Sequence, residues 1–155
     1  MSSDGEKMRL PTSDIPTVGL LGRAFNELSA IIFDRVVASG AGDLRPSHGN
    51  VMEQLSFEDG LRLTDIARRA GITAQSAGAL VDELEELKYV ERREDPDDRR
   101  AKRIHLTAKG RRNADLAWGI VEGLEDELEG VVGSRRLAQL RQTLVDILAS
   151  LDDPT

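Results

Sequence analysis

The segment 91–107 constrains the fold more than any other part of the chain. An acidic stretch around Pro96 has the composition of a tight turn. After it, Ile104 and Leu106 alternate with polar residues, which is typical of a strand with one buried face. The segment is therefore predicted to form a two-stranded hairpin. Its tip would carry two adjacent arginines, Arg99 and Arg100.

A short helix, a glycine turn and a second helix precede this hairpin. Thr64 is predicted to cap a third helix over 65–70, Gly71 to end it, and Thr73 to cap a fourth helix over 74–88. This is the spacing of a helix-turn-helix. The fourth helix begins with small polar side chains that fit against a base edge, namely Thr73, Gln75 and Ser76.

Four further helices are predicted from apolar residues at helical spacing, over 16–39, 46–56, 108–131 and 134–150. In the last of these, leucines recur at intervals of three and four, which indicates a seam that packs against a partner helix. The fold class is therefore mainly α with a small β wing, with about six helices and one β-hairpin. Leu63 is a candidate for a short additional strand.

The charge of the chain is unevenly distributed. The whole sequence carries −7, which taken alone argues against nucleic acid, yet residues 92–112 contain nine basic and four acidic residues. Charges farther apart than a Debye length of roughly 8 Å are largely screened from one another. A local basic patch on an acidic body therefore remains compatible with phosphate binding.

Several classes of protein and site are disfavoured by the composition. The chain has no cysteine, which excludes disulfides and thiolate chemistry. His48 and His105 lie without ligand spacing around them, so no metal site or cofactor is expected, and no arrangement of nucleophile and base indicates an enzyme. No apolar run approaches the roughly 18 residues of a membrane span. A cytoplasmic protein is expected.

These motifs resemble those of the MarR family of bacterial transcriptional regulators, over about residues 15–150. The sequence Asp-Pro-Asp-Asp-Arg-Arg-Ala at 95–101 is similar to the family's wing signature, with Ile104, Leu106-Thr107 and Gly110 following it. The helix-turn-helix pattern of the family is matched by segments 64–67 and 80–85.

The resemblance implies a homodimer that binds double-stranded DNA at a pseudo-palindromic operator. Residues 1–13 would be a flexible tail, 14–43 a dimerisation helix, 44–110 the winged DNA-binding lobe and 111–151 two more dimerisation helices. Arg100 would enter the minor groove and Asp98 would orient it. The residues expected at the DNA are Thr64, Thr73, Gln75, Ser76, Asp98, Arg99, Arg100 and Lys102.

The resemblance also implies a repressor that a small aromatic or anionic effector releases from DNA. The effector cleft would lie among helices one, two and five. Its candidate residues are Phe25, Phe33, His48, Met52 and Trp118. A surface position is the alternative for His48, and a core or interface position is the alternative for Trp118.

One departure from the family leaves other functions open. Relatives often carry arginine or lysine at the positions of Ala74, Ala79 and Glu83, whereas this fourth helix has none there. Base reading would then depend mainly on Gln75 and Ser76, and on DNA shape sensed by the wing. The alternatives are a winged helix module that binds protein without reading DNA, and a small-molecule carrier on the same scaffold.

Overall fold

The computed structural model describes residues 12–152, which form six α-helices and one small sheet. The helices are α1 (Thr17–Ala38), α2 (Gly49–Phe57), α3 (Leu63–Ala70), α4 (Ala74–Glu86), α5 (Ala108–Val132) and α6 (Ser134–Asp152). The strands are β1 (Leu61–Arg62), β2 (Val90–Glu94) and β3 (Lys102–Leu106). The predicted fold class is confirmed. Most of the tail expected at 1–13 lies outside the described residues.

The hairpin of β2 and β3 is extended by a third strand. β3 pairs antiparallel with β2 on one side and with β1 on the other, where Leu61 faces Ile104. The sequence pointed to Leu63 as the strand residue, but Leu63 is the first residue of α3. β1 therefore enters the helix-turn-helix directly from the sheet, which fixes the wing relative to α3.

The core of the molecule lies in the winged lobe, which we define as residues 44–107. Apolar side chains from α2, α3, α4 and all three strands meet there and are almost fully buried. They include Val51, Leu55, Leu61, Ile66, Val81, Leu84, Tyr89, Val90, Ile104 and Leu106. At roughly 25 cal/mol per Å² of buried apolar surface, this cluster holds the helix-turn-helix and the wing as one unit.

Two of the predicted helix caps have different outcomes. Thr73 precedes α4, and its Oγ1 accepts a hydrogen bond from the backbone N–H of Ser76 at 3.1 Å, so this cap is confirmed. The cap predicted at Thr64 is wrong, because α3 begins at Leu63, two residues earlier than predicted, and Arg62 occupies the cap position. Thr64 instead lies in the first turn of α3 and is exposed.

The helical platform, which we define as α1, α5 and α6, packs more loosely than the lobe. α1 and α5 are joined by a bidentate ion pair in which Arg35 donates to both carboxylate oxygens of Glu127, each at 2.8 Å. No side chain of α6 between Ser134 and Leu151 is buried. Within residues 12–152, none of the helices combines the length and apolar character that crossing a bilayer requires.

Candidate nucleic-acid interface and adjoining cavity

The turn between α3 and α4 depends on a left-handed residue. Gly71 ends α3 with φ +66°, a conformation that costs other residues roughly 1–2 kcal/mol. The backbone N–H of Ile72 then donates to the carbonyl of Ala67 at 3.0 Å and closes the turn. This geometry sets the direction in which α4, the recognition helix, leaves α3.

The first turn of α4 presents a small polar surface to solvent. The Thr73 hydroxyl donates to Ser76 Oγ at 2.8 Å while it caps the helix, so Thr73 is engaged, whereas the Ser76 hydroxyl only accepts and keeps its own proton for another acceptor. Gln75 is exposed, and its side-chain amide has no partner among the described residues. The Gln75 amide and the Ser76 hydroxyl proton are therefore the groups on this turn that can exchange hydrogen bonds with a base edge.

The turn of the wing is built on a buried carboxylate. Asp95 is 1% exposed, and its Oδ1 accepts from the backbone N–H of Asp97 at 3.0 Å. Its Oδ2 accepts from Arg62 Nε at 2.7 Å, while Arg103 Nε lies 3.1 Å away in a poorly aligned ion pair. The bond from Asp97 and the two guanidinium groups lower the pKa of Asp95 to about 2.

Asp98 orders the wing in a different way from the one predicted. Its Oδ1 accepts from the backbone N–H of Arg100 at 3.0 Å, and among the described residues it forms no ion pair with the Arg100 guanidinium. The expectation that Asp98 orients this guanidinium is therefore not met in the structure. Asp98 stabilises the backbone of the tip, and the Arg99 and Arg100 side chains extend exposed from it.

Most of the basic residues in the 92–112 segment are already paired. Six of the nine have an acidic partner within 4 Å. They are Arg92, Arg93, Lys102, Arg103, Lys109 and Arg111. Within the described part of the chain, the wing tip therefore contributes two unpaired cations, Arg99 and Arg100, and the formal charge of the segment overstates its basic surface.

Lys102, also expected at the DNA, lies 3.6 Å from Glu94 across the hairpin, with both side chains more than half exposed. Such an exposed pair stabilises a protein by only about 0–1 kcal/mol, so a phosphate can compete with Glu94 for the ammonium group. Lys102 is thus a weaker candidate for DNA contact than the two tip arginines.

A cavity of about 880 Å³ lies between α1, α2 and α5, beside the lobe. Four of the five predicted effector residues line it, namely Phe25, Phe33, Met52 and Trp118. Phe25, one of these lining residues, is 70% exposed to solvent. Asp34, Arg45 and Glu53 are the charged residues of the lining, so the wall is mainly apolar and slightly acidic.

His48, the fifth predicted residue, does not line this cavity. It is 2% exposed, so the alternative surface position is also wrong. Its ring is buried between the backbone of Arg45 and the side chain of Glu83 in α4. Nothing in the local sequence signals this, because Glu83 is 35 positions away.

Comparisons with known proteins agree with this geometry. The model of the MarR family matches residues 43–101. A solved transcriptional regulator of that family from Rhodococcus sp. RHA1 is 30% identical, with 90% of this chain and 96% of that chain covered and a TM-score of 0.70. The chain belongs to the MarR family of transcriptional regulators.

Two other solved relatives of this MarR-family chain have been captured on DNA. The transcriptional repressor CouR, bound to a 23-mer duplex, is 29% identical over 86% of this chain and 92% of its own, with a TM-score of 0.61. FabT of Streptococcus pneumoniae, in complex with DNA, is 19% identical over 86% and 94%, with a TM-score of 0.72, and shows the shared fold. A comparison with curated protein sequences gave no match.

The MarR signature acquires a physical meaning in this structure. A Cβ placed on Gly110 would lie 2.0 Å from the carbonyl oxygen of Tyr89, so only glycine fits there. Thr107 caps α5 by accepting from the Gly110 N–H at 3.1 Å and donates to the Lys88 carbonyl at 2.5 Å. Sequence reasoning found these residues but missed Arg62 and the burial of Asp95, which depend on contacts across the sheet.

Proposed function

We propose that the chain is a homodimeric, sequence-specific DNA-binding repressor that a small aromatic effector releases from its operator. The observation that carries the proposal is the pair of exposed arginines, unpaired among the described residues, at a wing tip whose backbone is held rigid by Asp95 and Asp98. Arginines free of internal partners can engage phosphates or a narrow minor groove without breaking an existing ion pair.

In this proposal α4 lies in the major groove and the wing reaches the neighbouring minor groove. Gln75 and Ser76 supply contacts to base edges, Thr73 holds the first turn of α4, and Thr64 contacts the backbone from α3. Arg99 and Arg100 supply most of the electrostatic affinity, with Lys102 in a lesser role. CouR and FabT, which were solved with DNA, support DNA binding by a chain of this fold.

A homodimer would bury the apolar surface of the platform. Val131, Leu140, Leu148 and Leu151 are each at least half exposed in the single chain, and they belong to α5 and α6. A symmetric dimer through this surface would hold two lobes at half-sites roughly 10 bp apart on one pseudo-palindrome. Residues 14–43 and 111–151 would supply the interface and 44–110 the DNA-binding lobe.

The effector is proposed to be aromatic because three aromatic side chains line the cavity, which lies between the platform and the lobe. A ligand there can change the spacing of the two lobes. The anionic alternative is less well supported, since the lining carries Asp34 and Glu53 and its one basic residue, Arg45, is already bound to Glu83. The repressor role is supported by CouR, which is itself a transcriptional repressor.

A mobility-shift titration tests the proposal directly. The protein would be titrated into DNA flanking its own gene and into a scrambled duplex, at about 50 mM and about 200 mM salt. We expect tighter binding to the flanking DNA, and an affinity that falls as salt rises because counterions are released from the phosphates. Gln75→Ala should lessen the preference for flanking DNA, with little change on the scrambled duplex.

One observation favours a protein-binding module as the alternative. α4 contains no lysine or arginine and carries four carboxylates in its second half, which is unusual for a helix that approaches phosphates. Absence of a shift on either duplex at low salt would favour that alternative. Equal losses of affinity on both duplexes for Gln75→Ala would contradict base reading by α4.

A further inference from the structure

A single carboxylate ties the recognition helix to the segment that joins α1 and α2. Glu83, in the second half of α4, accepts a hydrogen bond from the Arg45 guanidinium. The same Oε2 atom lies 2.9 Å from His48 Nε2. Both partners belong to residues 45–48, where Arg45 precedes a short 3-10 turn. The carboxylate therefore bridges two elements that are far apart in sequence.

The orientation of His48 makes this contact specific. Its Nδ1 accepts from the backbone N–H of Arg45 at 3.0 Å, so the ring proton is on Nε2 and is donated to Glu83. The ring is 2% exposed and has no room to turn away from its two partners without moving the segment. The hydrogen bonds from Arg45 and His48 lower the pKa of Glu83, which keeps its carboxylate ionised at neutral pH.

The same segment forms one wall of the effector cavity. Leu44, Arg45, Pro46, Ser47, Gly49 and Asn50 all line it. His48 points the other way, into the lobe. Residues 44–50 thus have one side on the cavity and the other side on the recognition helix. The bonds from Arg45 and His48 to Glu83 therefore connect this wall directly to α4.

We propose that Glu83 is a positioning residue for DNA recognition, which fixes α4 to the cavity wall through Arg45 and His48 and transmits movements of that wall to the helix. The inference rests on the proposed DNA-binding function, since it names how the cavity and the recognition helix communicate. In this arrangement the carboxylate serves Arg45 and His48 and does not face the phosphates.

The substitution Glu83→Gln distinguishes a positioning role from a position facing DNA. If Glu83 faced DNA, its charge would repel the phosphates, and Glu83→Gln would strengthen binding to every sequence. If Glu83 positions α4, the same substitution removes the charge that holds Arg45 and His48 and weakens specific binding. Glu86→Gln is the matched control, because Glu86 lies on the same helix, is exposed, and its side chain forms no ion pair or hydrogen bond among the described residues.

The first experiment compares these two variants by DNA titration and by amide hydrogen exchange. We expect Glu83→Gln to lower operator affinity roughly three- to thirtyfold, the usual range for a residue that couples elements without touching ligand. Exchange should rise at residues 45–49 and in the second half of α4, and Glu86→Gln should change neither quantity. Stronger DNA binding by Glu83→Gln, or equal effects of both variants, would overturn the proposal.

Hydrogen exchange separates this inference from the proposed function. If the unaltered protein bound no DNA, the proposed function would fail, but faster exchange confined to Glu83→Gln would still show that Glu83 holds the wall and the helix together. If DNA bound as proposed and exchange were unchanged in Glu83→Gln, the positioning role would fail alone.

Two substitutions at His48 provide a rescue test that does not alter Glu83. His48→Gln places an amide N–H near the position of Nε2 and can still donate to Glu83. His48→Asn places a carbonyl oxygen near Nδ1, keeps the bond from the Arg45 N–H and loses the bond to Glu83. We expect His48→Gln to retain most of the operator affinity and His48→Asn to resemble Glu83→Gln. The reverse order would overturn the account.

Transmission from the cavity is tested with a covalent probe. The chain has no cysteine, so Asn50→Cys on the cavity wall can be labelled at one site with N-phenylmaleimide. The adduct should weaken operator binding when Glu83 is present and have a several-fold smaller effect in the Glu83→Gln background, as a double-mutant cycle requires of coupled positions. An equal effect in both backgrounds, or none in either, would overturn the coupling.

Discussion

The winged lobe and the helical platform differ in how far their apolar side chains are buried within one chain. The lobe buries its own: Leu55, Ile66 and Leu84 are at most 1% exposed within one chain. In the platform, Leu148 remains 61% exposed and Leu151 74% exposed on a helix that touches only its neighbour α5 closely among the described elements. The core of the lobe is therefore covered within one chain, whereas the platform presents a surface that a second copy of the chain can cover.

The largest effect is expected on α6, where the proposed homodimer would cover the exposed leucines. Leu140→Glu combined with Leu148→Glu would cost little in a monomer, because both side chains are already at least half exposed. In a dimer the double variant would bury unpaired carboxylates, each of which costs several kcal/mol. The dissociation constant of the dimer should therefore rise more than about a hundredfold. Sedimentation equilibrium measures this directly.

Gln139→Glu is the control for that variant. Gln139 is exposed on α6, so this substitution adds a negative charge to the helix without replacing one of its leucines. A monomer-dimer equilibrium that is the same for the double variant, the control and the unaltered chain would show that the platform does not need a partner. The exposed leucines of α6 would then be ordinary surface residues and not part of an interface.

The junction between the two regions should be the next most sensitive point. Gly110→Ala puts a methyl group 2.0 Å from the Tyr89 carbonyl oxygen, so α5 must shift away from the lobe. We expect a loss of about 1–3 kcal/mol in the free energy of unfolding, the usual cost of overpacking a well-packed site. Urea denaturation would measure it. Gly130→Ala, where a Cβ meets no described atom within 4 Å, should not destabilise the protein.

A gain of stability is predicted inside the lobe. Gly78 lies in the middle of α4, and a Cβ there would meet Leu63 Cδ2 at an ordinary 3.7 Å. Gly78→Ala should therefore raise the free energy of unfolding by about 1 kcal/mol, the difference in helix propensity. If this variant gains stability and loses operator affinity, the glycine serves close approach to DNA; a loss of stability would contradict the packing described here.

A pH-dependent effect is expected in the wing, where the charge of Asp95 is lost only at acid pH. The pKa of Asp95 is lowered to about 2, below its unfolded value of roughly 3.9, so the carboxylate stabilises the fold above about pH 4. That stability is lost as pH falls from about 4 towards 2. The difference in melting temperature between the unaltered protein and Asp95→Asn should shrink over this range. If this difference stayed constant down to about pH 2, the charge of the Asp95 carboxylate would not contribute to stability.

The sequence predicted well whatever depends on local periodicity. The six helices, the cap at Thr73 and the turn at Asp95 follow from residues within a few positions of one another. β1 was not predicted as a strand, because it consists of two residues that are extended only through pairing with β3, about 40 positions later. Short strands of this kind are determined by the partner strand and not by their own composition.

The candidate site was predicted in part for the same reason. Arg99, Arg100 and Gln75 were identified from local motifs, and the structure leaves all three exposed. The burial of His48 was missed, because it depends on Glu83 in another helix. The pairing of six basic residues was also missed, since a count of charges does not show which of them face an acid. Non-local contacts decide both outcomes.

The salt dependence of DNA affinity reports how many phosphates the wing arginines neutralise. The double substitution Arg99→Ala and Arg100→Ala would be compared with Arg112→Ala, which removes an exposed arginine of the platform that has no acidic partner within the described residues. We predict that the double variant binds operator and scrambled DNA more weakly. The slope of log K against log salt should fall by roughly 2, about 0.9 for each phosphate that is no longer neutralised. Arg112→Ala should leave affinity and slope unchanged. An unchanged affinity and slope for the double variant would contradict the account.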